Sequence, residues 1–330
     1  MGTVLEDTTT SDVDKTLSRL RAETGVRTLG RVLTLVIIAE TGHSEKAVEA
    51  AIAASREHPC RIIVHVAHDA GAANRLDAEI NLGGEAGASE VVILRGWGES
   101  AHASESLLAA LLLPDVPIVV WWPHSLPGSD ADDSMRRIAT RRITDSARAE
   151  HPWKALTSLR RTYRPGDTDL AWTRLTQWRI QLAAVLDDLP REATRKVVVE
   201  GSERSPSVIL LGAWLGYKLD ADVEVVGDPL ERGLFRVTLC REGGDVTIHR
   251  PGRNVATLSQ PGSPDQQIAL PARSLAQCLA EELRRLDPDE AFGDVLTRGL
   301  GTARVTWVEG TVSEDAETID EDNRTEAYDA

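Results

Sequence analysis

Two hydrophobic periods organise the first half of the chain. RVLTLVIIA (Arg31–Ala39) and CRIIVHVA (Cys60–Ala67) are continuous β-branched runs, the pattern of strands covered on both faces. Between them, SEKAVEAAIAASREH from Ser44 spaces alanines and aliphatics at helical steps until Pro59 stops it. RLDAEINL and SEVVILRGWG predict two more strands, joined through the Gly-rich GGEAGAS. SESLLAALLLP predicts a helix leading to the strand PIVVWW, which Pro123 breaks. Near the start, Ser11 to Asp14 match a capping pattern ahead of a helix running toward Arg21. Strands alternating with helices predict a doubly wound, mostly parallel α/β sheet over residues 1–150.

From Pro152 to Pro190 the pattern predicts two helices broken at Arg164–Asp167. The second carries Trp172, Leu175, Trp178, Leu182, Val185 and Leu189 in one stripe, with Asp167 or Thr168 as its cap and Asp169 in its first turn. This central helical segment spans 151–190. After it, KVVVEG predicts a strand and SPSVILLGAWLGYKL a helix. Short strands follow at VEVVG, LFRVTLC, DVTIH and NVATL, and SLAQCLAEELRRL reads as a helix packed on their far side. Residues 191–308 are thus expected to form an α+β domain with antiparallel strands. From Glu309 onward nine acidic residues stand against one arginine, which predicts a disordered acidic tail over 309–330.

Composition narrows the function. A net charge of −15 disfavours nucleic acid and anionic membrane surfaces as partners. No apolar run approaches the roughly 18 residues of a membrane span, and MGTVLEDTTTSD does not read as a signal peptide. Three scattered cysteines, Cys60, Cys240 and Cys278, fit buried thiols in a reducing cytoplasm. No dinucleotide, phosphate-loop or nucleophile-elbow motif is present: GGEAG lacks the spacing, and ETGHS has a single glycine. His65 and His68 are three apart on a strand and face opposite ways, so no metal site is expected there. The expectation is a protein without cofactor, metal or catalytic residues of its own.

The charge is unevenly placed. Between Ser134 and Arg179 eleven basic residues, ten of them arginine, face four acidic ones; this segment carries +7 and the rest −22. Arginine suits bidentate recognition of carboxylate or phosphate. The segment is either a solvated face neutralised by the acidic domains or a docking surface for an acidic partner or phosphorylated metabolite. Trp121 and Trp122 adjoin it at the strand end where open α/β sheets bind ligands. Alternation predicts one indole in the core and one, Trp122, toward the docking edge.

Three stretches carry a family resemblance: PIVVWWP at Pro117–Pro123, RRITDSA at Arg141–Ala147 and GDTDLAWTRLTQWR at Gly166–Arg179. With TTTSDVDKTLSRLR, RVLTLVI and the C-terminal half, the chain resembles the glucose-6-phosphate dehydrogenase assembly protein OpcA family over nearly its whole length. The resemblance implies a non-catalytic assembly factor that binds glucose-6-phosphate dehydrogenase and promotes its active oligomer at the entry to the oxidative pentose-phosphate pathway. The partner-binding candidates are Trp121 and Trp122 as anchors, with His124 beside them, and Arg141, Arg142, Arg174 and Arg179 as charged contacts. Gly166, Asp167, Thr168 and Asp169, with Trp172, would form the turn and cap that aim them. Relatives in photosynthetic bacteria are associated with redox control through cysteines. The three thiols here read as core residues, so that control is not carried over. The competing class is a sugar-phosphate-binding or isomerising protein, with the strand-end edge as pocket and the arginines as clamps.

Overall fold

The computed structural model describes residues 2–24, 32–82, 90–127, 133–189, 192–202, 204–228, 233–302 and 305–309. Along the chain the strands are β1 (Thr3–Leu5), β2 (Leu33–Glu40), β3 (Cys60–Ala67), β4 (Arg75–Leu82), β5 (Glu90–Trp97), β6 (Ile118–Trp122), β7 (Arg141–Thr144) and β8 (Asp167–Asp169). They continue with β9 (Thr194–Gly201), β10 (Asp222–Gly227), β11 (Leu234–Arg241), β12 (Val246–His249), β13 (Val255–Ser259), β14 (Gln266–Ala269) and β15 (Val305–Glu309). The helices are α1 (Thr10–Thr24), α2 (Glu45–Ala54), α3 (Glu105–Leu108), α4 (Asp133–Ile138) and α5 (Pro152–Thr162). Then come α6 (Leu170–Thr173), α7 (Thr176–Asp188), α8 (Pro206–Leu219), α9 (Leu275–Arg284) and α10 (Glu290–Asp294). GGEAGAS, Pro190 and the acidic segment 310–330 lie outside the described residues; Glu309, read as the start of the tail, closes β15.

The chain divides into two units. The first comprises residues 1–148, 166–168 and 276–288; the second comprises 149–165, 169–275 and 289–330. In the first, eight strands run in the order β1-β4-β5-β3-β2-β6-β7-β8. Pairs β5-β3, β3-β2, β2-β6 and β6-β7 are parallel, while β4 is antiparallel to both β5 and β1. This is the expected doubly wound, mostly parallel sheet. One face packs Val36, Ile63, Val92, Val120 and Trp122 against Val13 and Leu17 of α1, Leu108 of α3 and Met135 of α4. The opposite pleats carry Leu35, Ile37, Val119, Trp121 and Ile143, all buried. The first helix is capped two residues earlier than the sequence predicts. The Thr9 hydroxyl accepts the Asp12 N–H at 3.2 Å, and Asp12 in turn accepts from Thr9. The SESLLAALLLP helix shrinks to the four residues of α3; beyond it the Leu108 carbonyl accepts both the Leu111 N–H at 2.8 Å and the Leu112 N–H at 3.2 Å, mixing i→i−3 and i→i−4 bonds.

The second unit has a seven-stranded sheet, β14-β13-β12-β11-β9-β10-β15. Five of its strands form an antiparallel series from β9 through β14, while β9-β10 and β10-β15 are parallel. Alternating burial along β9, β10 and β11 turns Val197, Val199, Val223, Val225, Val237 and Leu239 inward. Helix α8 packs on β9 and β10, and Gly212 lets it approach: a Cβ there would stand 3.0 Å from Val223 Cγ1. The predicted helix after Asp169 is two pieces, α6 and α7, and Asp167–Asp169 is a strand rather than a helix start.

Candidate functional site

The GDTDLAW block begins at Gly166, whose φ of +94° is strained for any residue with a side chain. A Cβ there would also lie 2.8 Å from the Thr140 carbonyl and 2.9 Å from Arg142 Nη2. The tight approach lets the Gly166 carbonyl accept the Arg142 N–H at 3.0 Å, tying the block beside β7. Thr144 Oγ1 donates to the Thr168 carbonyl at 3.1 Å. The Asp167 carboxylate accepts from Arg142 Nε and stands 3.6 Å from Arg136 Nη2. Arg142 also donates to the Ala139 carbonyl at 2.7 Å. All of these charged groups are buried.

The next position belongs to the second unit. Asp169, not Asp167 or Thr168, is the helix cap: its Oδ1 accepts the Ala171 N–H at 2.9 Å. That correction follows from the strand, which runs through Asp169, so that only its last residue adjoins the helical turn. Trp172 is fully buried beneath the Arg179 guanidinium, 3.9 Å from its ring centroid. The Trp172 indole N–H donates to Asp289 Oδ2 at 2.9 Å, and the other oxygen of Asp289 caps α10 through the Phe292 N–H at 2.9 Å. Leu175, Trp178, Leu182 and Val185 extend the buried stripe as read, while Leu189 is only half-buried.

Strand β7 sets the remaining geometry. In register with β6, Arg141 and Ile143 share the pleat of Trp121, while Arg142 and Thr144 share that of Trp122. Arg142 therefore meets Asp167 on the face of α4. On the opposite face Arg141 donates twice to Glu282 of α9, with Nε at 3.1 Å, and to the Asp287 carbonyl at 2.6 Å. The expectation of one buried and one exposed indole is overturned: both Trp121 and Trp122 are buried, because both faces of the sheet are covered at that point. Trp122 joins the main core, and Trp121 Nε1 has no hydrogen-bond partner among the described residues. Beyond Pro123, His124 is half-buried, its ring 5.1 Å from that of His43. Burial first, then the neighbouring Arg148 and His43, hold its pKa below the ordinary value.

Arg141 and Arg142 therefore face inward, onto carboxylates. Arg179 stacks on Trp172, and Arg174 is half-exposed. The sequence pointed to none of Arg136, Glu282, Asp287, Asp289 or Phe292 as partners. Only Asp289 left a signal, as the cap residue in DPDEAF before α10.

Burial drives the Cys60 thiol up to about 12, and burial followed by Asp245 raises that of half-buried Cys240; Cys278 is buried. At pH 8 a group with that pKa is thiolate in only about one molecule in ten thousand. A thiol-specific reagent is expected to label native chain at Cys240 at most, and all three cysteines once denatured. Rapid native labelling of Cys60 would contradict its buried position.

The described residues include no cluster of three metal-ligating side chains and no helix long and apolar enough to cross a membrane. Together these features define a two-unit α/β protein whose motif residues form an internal frame of ion pairs and caps. The model of the glucose-6-phosphate dehydrogenase subunit N-terminal domain matches residues 51–161, and that of the subunit's C-terminal domain matches residues 165–296. The chain belongs to this OpcA family of glucose-6-phosphate dehydrogenase subunits. No curated protein sequence matches it. Among solved structures, the UDP-N-acetylglucosamine 3-dehydrogenase GnnA from Acidithiobacillus ferrooxidans is 14% identical with a TM-score of 0.37, covering 82% of this chain and 96% of its own. A structure described as trehalose-6-phosphate from E. coli bound with UDP-2-fluoro glucose is 9% identical with a TM-score of 0.24, covering 85% of this chain and 74% of its own. Neither likeness carries a functional argument.

Proposed function

We propose that this chain is a non-catalytic assembly factor that binds glucose-6-phosphate dehydrogenase and activates it by favouring its active oligomer. The observation that carries this reading is the match of both subunit-domain models, which together run from residue 51 to residue 296. The geometry adds a division of labour. Trp121, Trp122, Arg141, Arg142, Asp167, Thr168, Asp169 and Trp172 are buried, so they act on the partner by shaping the surface rather than by touching it. His124, Arg174 and Arg179 are half-exposed, which supports reading them as the members of the set that make contact. The phosphate-clamp alternative loses support, since Arg141 and Arg142 already hold Glu282 and Asp167.

An activator must bind the active state more tightly than the inactive one, and a tenfold population shift needs about 1.4 kcal/mol of differential affinity. Titrating the chain into the cognate dehydrogenase is expected to raise NADP reduction severalfold in a saturable way. The two should also co-elute on size exclusion. Sugar-phosphate turnover by the repurified chain alone, or a rate and oligomer unaffected by a saturating excess of it, would sink the proposal.

A further inference from the structure

The basic segment seen in the sequence is not one patch. Its first part is internal: Arg136, Arg141, Arg142 and Arg148 each have a carboxylate partner. Its second part is α5, held to the second unit by buried Ala155, Leu156 and Leu159. The outer face of α5 shows Lys154, Arg160 and Arg161, all exposed, beside a Trp153 that is 54% exposed. Lys154, Arg160, Arg161 and nearby Arg204 form no ion pair with any described residue. An unpaired cationic helix face with an open indole is a poor solvent surface and a good receptor for an acidic segment.

Within the same unit a cavity of about 400 Å³ opens between the first turns of α5 and α8. Its walls include Trp153, Lys154, His151, Arg204 and Ile209, with Glu150 as the acid among them. The strand register fixes the edge at which the described chain ends. Glu309, the last residue of β15, pairs with Gly227, which in turn pairs with Gly201 at the end of β9. Two strand spacings separate Glu309 from Gly201, or about 10 Å, and Arg204 follows Gly201 by three residues. The described chain thus ends on the same sheet edge as Gly201, three residues before Arg204 of the cavity wall, ahead of residues 310–330. They carry eight carboxylates against Arg324, together with Ile319 and Tyr328 as apolar side chains.

We propose that this acidic segment is the occupant of the cavity, its carboxylates pairing with Lys154, Arg204, Arg160 and Arg161 while an apolar side chain packs on Trp153. Tethering makes the encounter intramolecular, at an effective concentration in the millimolar range, so a weak contact suffices for high occupancy. The inference stands apart from the identity of the partner enzyme: it needs only the charge, the cavity and the strand register.

Carbodiimide coupling of the full chain, mapped by mass spectrometry, tests it. The chain has five lysines, Lys15, Lys46, Lys154, Lys196 and Lys218. Amide links from residues 314–329 are expected at Lys154 and to fall at least tenfold in 1 M salt. They should fall as far when Arg160, Arg161 and Arg204 are each replaced by Glu in one variant whose melting is unchanged. Lys154→Arg, which keeps the charge but removes the amine, should abolish the link. Links spread evenly over the five lysines, or insensitive to salt and to charge reversal, would overturn the proposal. So would links joining ordinary and 15N-labelled copies in a mixture, which would make a second copy the occupant. Links to Lys154 that arise only from added dehydrogenase would assign the surface to that enzyme and overturn it too.

Discussion

Trp122→Ala is expected to lower unfolding free energy by about 3–5 kcal/mol, the range of large aromatic truncations in a packed core. Trp122 shares a core cluster with Val36, Val120, Met135 and Ala139, so the void would open at the carboxyl end of β6, on the side of α4. Parallel strands on both sides of β6 hold the backbone and limit how far the site can collapse. Trp121 should respond differently to a milder change. Its buried N–H has no partner among the described residues, so Trp121→Phe removes a cost as well as some packing. We expect that variant to lose no more than about 1.5 kcal/mol. Urea titration of both variants measures this directly. Trp122→Ala melting like the parent chain would mean that the indole is not part of the core, and the exposed-anchor reading would return. Under the proposed activating role, any loss of activation caused by Trp122→Ala should track its unfolded fraction, because the side chain is too buried to touch a partner.

The strands that could be read were those whose burial is complete within their own sequence. β2, β3, β5 and β6 are aliphatic runs covered on both faces, and their bounds fall within a residue or two of the runs that predicted them. β7 was invisible for the opposite reason. Arg141-Arg142-Ile143-Thr144 is half arginine, and its burial depends on Glu282 and Asp167, which lie 141 and 25 residues away. The amphipathic pattern of α9 says that one side packs; it does not say on which sheet. Expected on the C-terminal strands, most of α9 belongs instead to the first unit, where Glu282 supplies the missing charge for Arg141. The edge strands β1, β14 and β15 are short, and local periodicity gives little warning of them.

The candidate site shows the same divide. The sequence reads Gly166–Asp169 as a turn and cap, and Gly166 does have a positive φ. The side chains from Asp167 to Asp169, and Trp172, point inward. Tryptophan beside arginine marks an interface hot spot, but it equally marks a core in which guanidinium groups are buried against carboxylates and rings. Which of the two holds depends on where Asp167, Glu282 and Asp289 fall in space, and only the long-range fold decides that.

The Arg141–Glu282 pair turns this last point into a measurement. Both side chains are buried, and Arg141 also holds the Asp287 carbonyl at 2.6 Å, so two groups depend on one guanidinium. Removing one partner leaves an uncompensated charge out of water, at a cost of about 3–5 kcal/mol. Glu282→Leu alone and Arg141→Met alone are each expected to lose that much. The double variant replaces the pair by apolar side chains of similar size and is expected to recover most of the loss, ending within about 2 kcal/mol of the parent chain. Additive losses in the double variant would show that the two residues do not act as a pair. Singles that cost less than about 1 kcal/mol would place the groups in water. The same pair predicts how the chain can be cut. A fragment ending near residue 150 keeps Arg141 but lacks Asp167 and α9 with its Glu282. It should therefore behave as an unfolded or aggregating chain, although its own sheet residues are nearly all present.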